Sequence, residues 1–382
     1  MPSSKTSQVA SLFEALLDPR QFKAADTELQ QFLSQDSQAS EILLEILLSE
    51  TSFQDVVRGS AAIQLKNIVK KQYTGVLKEK PSHIQSFEIL TKIDKYIFSS
   101  ESLIQDQVCI IVGIIADTLE ENIDPLMSEF GKYLETLVSR VRKNPSPDVL
   151  YGFYNVINSI SGNITKEGKS DELYMRILTF QAFFCPIFFE NIESLLSNIN
   201  IITSLPQETC SRVIEILSKL CNSAYNLVYH DLLQFFEENL SRLLIKLKEI
   251  LEFNPQNLDE QLSIEILSLK SEVMNCINFI HRQYISDVKE TKVQFTDVVY
   301  NLMRAPQHDS DMNDLLYAKY LNFLSIVSVN SDFKAQMQSP QMIESLCVDI
   351  IMPNIKMSNS DQEAFNDSPS SYLNKDLISF GS

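Results

Sequence analysis

The chain of 382 residues is too long for one small core, and its hydrophobic content of 44% excludes a disordered or collagen-like polymer. Only 8 glycines and 13 prolines disfavour folds that live on glycine-rich turns, such as β-sandwiches and dinucleotide-binding sheets. With 32 basic against 50 acidic residues the net charge is −18; this argues against nucleic acid, whose footprint needs clustered Lys and Arg, and for basic protein partners.

Taken from the N-terminus, Met1-Pro2-Ser3-Ser4-Lys5 has no apolar h-region of a signal peptide. Helical segments are expected between polar or proline-bearing breaks at Asp18-Pro19, Ser49–Ser52, Thr74–Ser82, Ser99–Ser102, Glu121–Pro125 and Asn144–Asp148. Further breaks fall at Ser161–Ser170, Ser204–Gln207, Asn254–Asp259, Arg304–Asp311 and Val329–Pro340. Between them apolar residues recur at steps of three and four, as in Val213, Leu217, Leu220, Ala224, Leu227 and again in Leu262, Ile266, Leu269, Val273, Ile277, Ile280, Tyr284. No comparable run alternates with period two. Successive helix pairs make units of about 40 residues, the period of HEAT and armadillo solenoids. The expected fold is therefore all-α, an α-α superhelix of about eight helix pairs, in which each repeat buries its apolar face on its neighbours. The longest unbroken apolar run, Val108–Ala116, has nine residues and is too short to span a bilayer, so no membrane insertion is expected. The polar stretch Pro353–Lys375 follows the helix around Met342–Ile351, and the absence of a closing helix suggests the front part of a longer protein.

Chemistry is sparse. The six cysteines, Cys109, Cys185, Cys210, Cys221, Cys276 and Cys347, form no C-x-x-C pair and sit in apolar runs as small hydrophobes. His83, His230, His281 and His308 are scattered without ligand spacing and read as loop or helix-surface residues. Gly162-Asn163-Ile164-Thr165-Lys166-Glu167-Gly168-Lys169-Ser170 imitates a P-loop, but its first glycine comes one residue early and no strand precedes it. It reads as a polar connection between helices. Phe180–Phe189 reads as a buried helix bent at Pro186, and Lys66, Lys70 and Lys71 as a charged strip. No nucleophile elbow or carboxylate dyad is present, so no enzyme, no metal and no cofactor is expected.

Two stretches carry a resemblance. Val57-Arg58-Gly59-Ser60-Ala61-Ala62-Ile63-Gln64-Leu65-Lys66-Asn67-Ile68-Val69-Lys70-Lys71 resembles the second helix of the second repeat in importin-β-type (karyopherin) receptors. There small Ala61 and Ala62 admit a close helix while Leu65 and Ile68 fill the core between repeats. Ile350-Ile351-Met352-Pro353-Asn354-Ile355, Phe365–Pro369 and Tyr372–Leu377 resemble a signature of one branch, the importin-α re-exporters or CAS family. Ile115-Ala116-Asp117, Ser170–Leu173 and Tyr229–Asn239 match it in order. The chain departs from the branch at Leu119–Pro125, at Asn374-Lys375, where the family has paired arginines, and in having no Trp.

The resemblance implies a nuclear export receptor that binds Ran-GTP and importin-α cooperatively, touches nuclear pore proteins and shuttles between nucleus and cytoplasm. It also implies a division into 1–120, carrying the Ran-binding surface, and 121–382, further HEAT repeats of the arch. The Ran-binding helices would be Arg20–Ser34, Phe53–Tyr73 and Glu101–Leu119, with Arg58, Lys66, Asn67, Asp106 and Asp117 as candidate contacts. Any of these could instead brace a neighbouring helix. The alternatives are an importin-β-type import receptor, which Ran-GTP would unload, and a HEAT-repeat scaffold outside transport.

Overall fold

A computed structural model describes residues 3–36, 38–73, 83–119, 126–197, 199, 205–255, 258–304, 311–329, 339–352 and 359–371. Among these residues there are sixteen α-helices and no strand. The chain divides into two compact units, Met1–Phe235 and Phe236–Ser382.

In the first unit, α1 (Ser4–Leu16) starts on Ser3, whose hydroxyl accepts from the Thr6 amide at 3.1 Å, a standard N-cap. It packs on α2 (Phe22–Gln35), and α3 (Ala39–Leu48) on α4 (Asp55–Tyr73). Next come α5 (His83–Ile93), a 3₁₀ turn (Asp94–Phe98) and α6 (Ser102–Leu119), followed by the pair α7 (Leu126–Lys143) and α8 (Pro147–Ile164). The pair α9 (Asp171–Ser197) and α10 (Gln207–Val228) completes the unit. The second helices stack in a row, α4 on α6, α6 on α8 and α8 on α10. Amphipathic spacing explains each contact: Val213, Leu217, Leu220, Ala224 and Leu227 of α10 are all buried, and a Leu so placed contributes roughly 1.5–3 kcal/mol. No Gly or Pro marks the connections Asp36–Gln38 and Tyr229–Leu233, and the break pattern passed over both.

Several sequence expectations need correction here. Helix α8 runs on to Ile164, so the connection expected from Ser161 is only Thr165–Ser170. In it Ser170 caps α9 through the Leu173 amide at 3.1 Å, and Glu167 pairs with Arg176 at 2.8 Å. In α4 Ala61, Ala62 and Leu65 are buried as expected, but Val69 rather than Ile68 fills the core. Helix α9 contains Pro186 and buries Phe180, Phe184, Phe188 and Phe189. By length and composition alone it could cross a bilayer, which the count of unbroken apolar residues did not register. Half of its most apolar window is buried in protein, as in a core helix.

The second unit holds α11 (Gln234–Glu252, nearly all of it), α12 (Glu260–Gln283), α13 (Lys289–Arg304) and α14 (Asp311–Ser328). A short α15 (Pro340–Ser345) runs into a π-helical turn (Leu346–Ile351). Within the stretch expected to be non-helical lies α16 (Asn359–Asp367). Helix α12 buries Leu262, Ile266, Leu269, Val273, Ile277 and Ile280, the stripe its spacing predicts. Cys347 is exposed while the other five cysteines are buried.

His281 is not a surface residue. It is wholly buried, edge-on to Phe295 of α13 and Phe323 of α14 at ring-centroid distances of 5.4 and 5.2 Å. Its Nδ1 lies 2.9 Å from the Ile277 carbonyl. Burial, with buried Lys292 nearby, lowers its pKa to about 4. The neutral ring is thus the folded form. Its stability contribution is complete above the unfolded pKa near 6.5 and is lost as pH falls from there to about 4, by roughly 3 kcal/mol. Urea melts at pH 7.5, 5.5 and 4.5 should show this slope, and His281→Leu should flatten it; an unchanged slope in the variant would refute the assignment.

Candidate partner-binding face of the helix row

The row α4–α6–α8–α10 is closed by small residues. A Cβ on Gly113 of α6 would stand 2.8 Å from Ser159 Cβ of α8, and one on Gly59 of α4 would meet the Leu103 side chain of α6 at 2.6 Å. Close backbones bring short polar side chains of successive helices into reach.

Asp106 of α6 accepts from the Tyr151 hydroxyl at 2.7 Å and from Asn155 Nδ2 at 2.8 Å, both on α8. Tyr151 and Asn155 are one turn apart, so one carboxylate holds both. Burial first, then the bond to Asp106, pushes the Tyr151 hydroxyl far above its ordinary pKa, and it remains a donor at neutral pH. Over that ring lies Arg212 of α10, its Cζ 3.8 Å from the centroid, close enough for a cation–π contact. The same guanidinium reaches Asp148 and Gln105 Oε1, each at 3.4 Å. Fully buried Gln105 in turn donates to the carbonyls of Ile97 at 2.8 Å and Asp148 at 2.9 Å. A groove of about 770 Å³ opens here, lined among others by Ser102, Asp106, Asp148, Tyr151, Arg212 and Glu215. Its carboxylates outnumber Arg212, which suits cationic side chains of a protein partner. Further along the row Asn163 donates to the Gly113 carbonyl at 3.4 Å and Asn226 to Ser161 Oγ at 3.2 Å.

The candidate contacts occupy different environments. Arg58 is 1% exposed. Its Nη1 meets Glu101 at 3.0 Å and Asp55 at 3.1 Å, Nε donates to the Leu47 carbonyl at 3.1 Å, and Cζ lies 5.4 Å from the Tyr96 ring centroid. Those partners bring α3, α4, the 3₁₀ turn and the start of α6 together, so Arg58 braces the helix row and is not on its surface. Lys66 and Asn67 are half-exposed neighbours on α4, with Asn67 Nδ2 at 3.5 Å from Gln64 Oε1. Asp106 is committed to α8. Asp117 belongs to α6, but its side chain lies outside the described residues, as do Pro353–Ile355 and Tyr372–Leu377 of the C-terminal signature. Of the four that are described, Arg58 and Asp106 are bonded to neighbouring elements while Lys66 and Asn67 stay half-exposed. Sequence reasoning missed Tyr151, Asn155 and Arg212; the signal available was a Tyr and an Asn four apart, and so on one face of the helix. Among the described residues no group of His, Cys, Asp and Glu is placed to hold a metal.

A family model described as Cse1 matches residues 163–380. Exportin-2 of Pagrus major is 25% identical over 345 residues, and Exportin-2 of Homo sapiens 25% over 348, each match covering 88% of this chain and 34% of the relative. The chain thus spans about a third of the length of the curated relatives it matches. A solved structure described as "The exportin Cse1 in its cargo-free, cytoplasmic state" superposes with a TM-score of 0.80 at 20% identity, over 98% of this chain and 40% of that one. The likeness shows the fold, a HEAT-repeat helix-pair solenoid.

Proposed function

The chain belongs to the Cse1 family, and from that premise we propose that it forms part of a nuclear export receptor. In this reading the receptor binds Ran-GTP and importin-α together, passes the nuclear pore by contact with its proteins, and returns importin-α to the cytoplasm. No bond is made or broken by the chain itself; cargo and GTPase each favour the same solenoid curvature, so each strengthens the other's binding. The observation that carries the reading is the Cse1 match over residues 163–380, joined by relatives named Exportin-2. The helix row supplies a physical route: successive helices are tied by contacts such as Asp106 to Tyr151 and Arg212 to Asp148, and small rotations at such contacts add along an array.

The test is the affinity of the complete receptor for importin-α with and without GTP-locked Ran. The expected rise is about 5- to 150-fold. A fall would indicate an import receptor, and no change a scaffold outside transport. Within the row, Lys66 and Asn67 are the proposed GTPase contacts because they stay accessible. Lys66→Glu combined with Asn67→Ala should weaken Ran-GTP binding by about fivefold at low salt, less at high salt, without moving the melting temperature.

A further inference from the structure

Three serines precede proline: Ser146-Pro147, Ser339-Pro340 and Ser368-Pro369. In each the serine stands just ahead of helical residues, with proline as the first of them, where its missing amide costs nothing. The three hydroxyls differ. Ser339 accepts from the Met342 amide at 3.3 Å and caps α15. Ser368 donates to Ser371 Oγ at 2.9 Å. Ser146 caps nothing, since no α8 amide donates to its side chain. A serine at this position ordinarily contributes about 1 kcal/mol through that bond, so its hydroxyl is left for another use.

The backbone around Ser146 has the form a kinase reads. Its φ of −64° and ψ of 161° are extended, the conformation a following proline enforces. Asn144, Pro145 and Pro147 are exposed and Ser146 half-exposed, in a connection of three residues between α7 and α8. Exposed Arg142 and Lys143 precede it. Downstream begins the 18-residue α8, whose N-terminal dipole end favours an anion.

We propose that Ser146 is a phosphorylation site for a proline-directed protein kinase. Ser146 Oγ attacks the γ-phosphorus of ATP, the bond from that phosphorus to the bridging oxygen breaks, ADP leaves, and the hydroxyl proton passes to the kinase's carboxylate base. The product adds about 1.5–2 negative charges beside Pro147 and Asp148, which line the groove under Arg212. The modification therefore acts on the charge of the helix-row face.

The folded chain is incubated with a cyclin-dependent kinase and ATP and followed by intact mass and peptide mapping. The expected result is a gain of about 80 Da, one phosphate, mapping first to Ser146 and at least tenfold faster than to Ser339 or Ser368. Ser146→Ala should abolish that first phase, and Pro147→Ala should slow it at least tenfold. A free peptide of residues 140–150 serves as the comparison. Modification of the peptide without modification of Ser146 in the folded chain would overturn the proposal, and so would modification of neither.

Discussion

Gly152→Ala is expected to cost about 3 kcal/mol, among the largest effects of any single methyl group in this protein. Gly152 lies in α8 where the helix meets the 3₁₀ turn. A Cβ there would fall far inside van der Waals contact with the Ile97 carbonyl oxygen, 2.8 Å from its carbonyl carbon and 2.8 Å from Gln105 Nε2. Two of these atoms are backbone and cannot swing aside, and the third is the side chain that ties α6 to the turn and to Asp148. The Cys109 thiol also reaches the Gly152 carbonyl at 3.5 Å, so a shift of α8 disturbs α6 as well. For a unit of about 235 residues, the loss corresponds to a fall in melting temperature of roughly 6–12 °C. The same helix supplies the control. Gly162 has only Asn226 Nδ2 near its absent Cβ, at 3.7 Å, and a helical Gly→Ala with room to spare stabilises by up to about 1 kcal/mol. Thermal melts of the two variants should move in opposite directions, and a tolerated Gly152→Ala would mean that α8 does not approach the turn this closely.

Arg58→Ala should destabilise the first unit by about 3 kcal/mol, through loss of a brace. The guanidinium fills a site that is 1% exposed and bonds the Leu47 carbonyl and the Glu101 carboxylate. Removing it leaves a cavity and a half-buried Glu101 carboxylate without its cation, while the Leu47 carbonyl loses one of two donors and keeps the Tyr96 hydroxyl at 3.1 Å. Because the Glu101 side chain keeps 31% of its exposure, the loss belongs at the lower end for a broken internal ion pair. Arg58→Lys keeps the charge but loses the fork that spans Leu47 and Glu101 at once, and should lose about half as much. Asp55 contacts the same Arg58 nitrogen but is 73% exposed, so Asp55→Ala should cost less than about 0.5 kcal/mol. Urea denaturation of the three variants gives the ranking Ala, Lys, then Asp55→Ala; equal and small losses would return Arg58 to the surface. If Ran-GTP binding also falls in Arg58→Ala, it should fall with the folded fraction, unlike the response to Lys66→Glu.

Much of the fold was legible because helices announce themselves locally. The stripe of α12 from Leu262 to Ile280 and that of α10 from Val213 to Leu227 appear in the sequence at the spacing they keep in the structure. Asp36–Gln38 escaped notice because a helix can stop at polar residues without Gly or Pro. The candidate site was less legible. An Arg followed by small Gly and Ser looks the same in sequence whether it faces solvent or a neighbouring carboxylate. Only the approach of α3, the 3₁₀ turn and α6 decided that Arg58 points inward. His281 was misread for the same reason, since Phe295 and Phe323 enclose it from helices that begin well beyond it in sequence.

The sequence by itself determined an all-α chain of stacked helix pairs and the family it belongs to, because periodicity and motif are properties of neighbouring residues. The tertiary structure alone decided which polar side chains face outward and which are spent on holding the helix row together. That partition depends on how closely helices from different repeats approach, and interhelical distance is set by side chains dozens of residues apart.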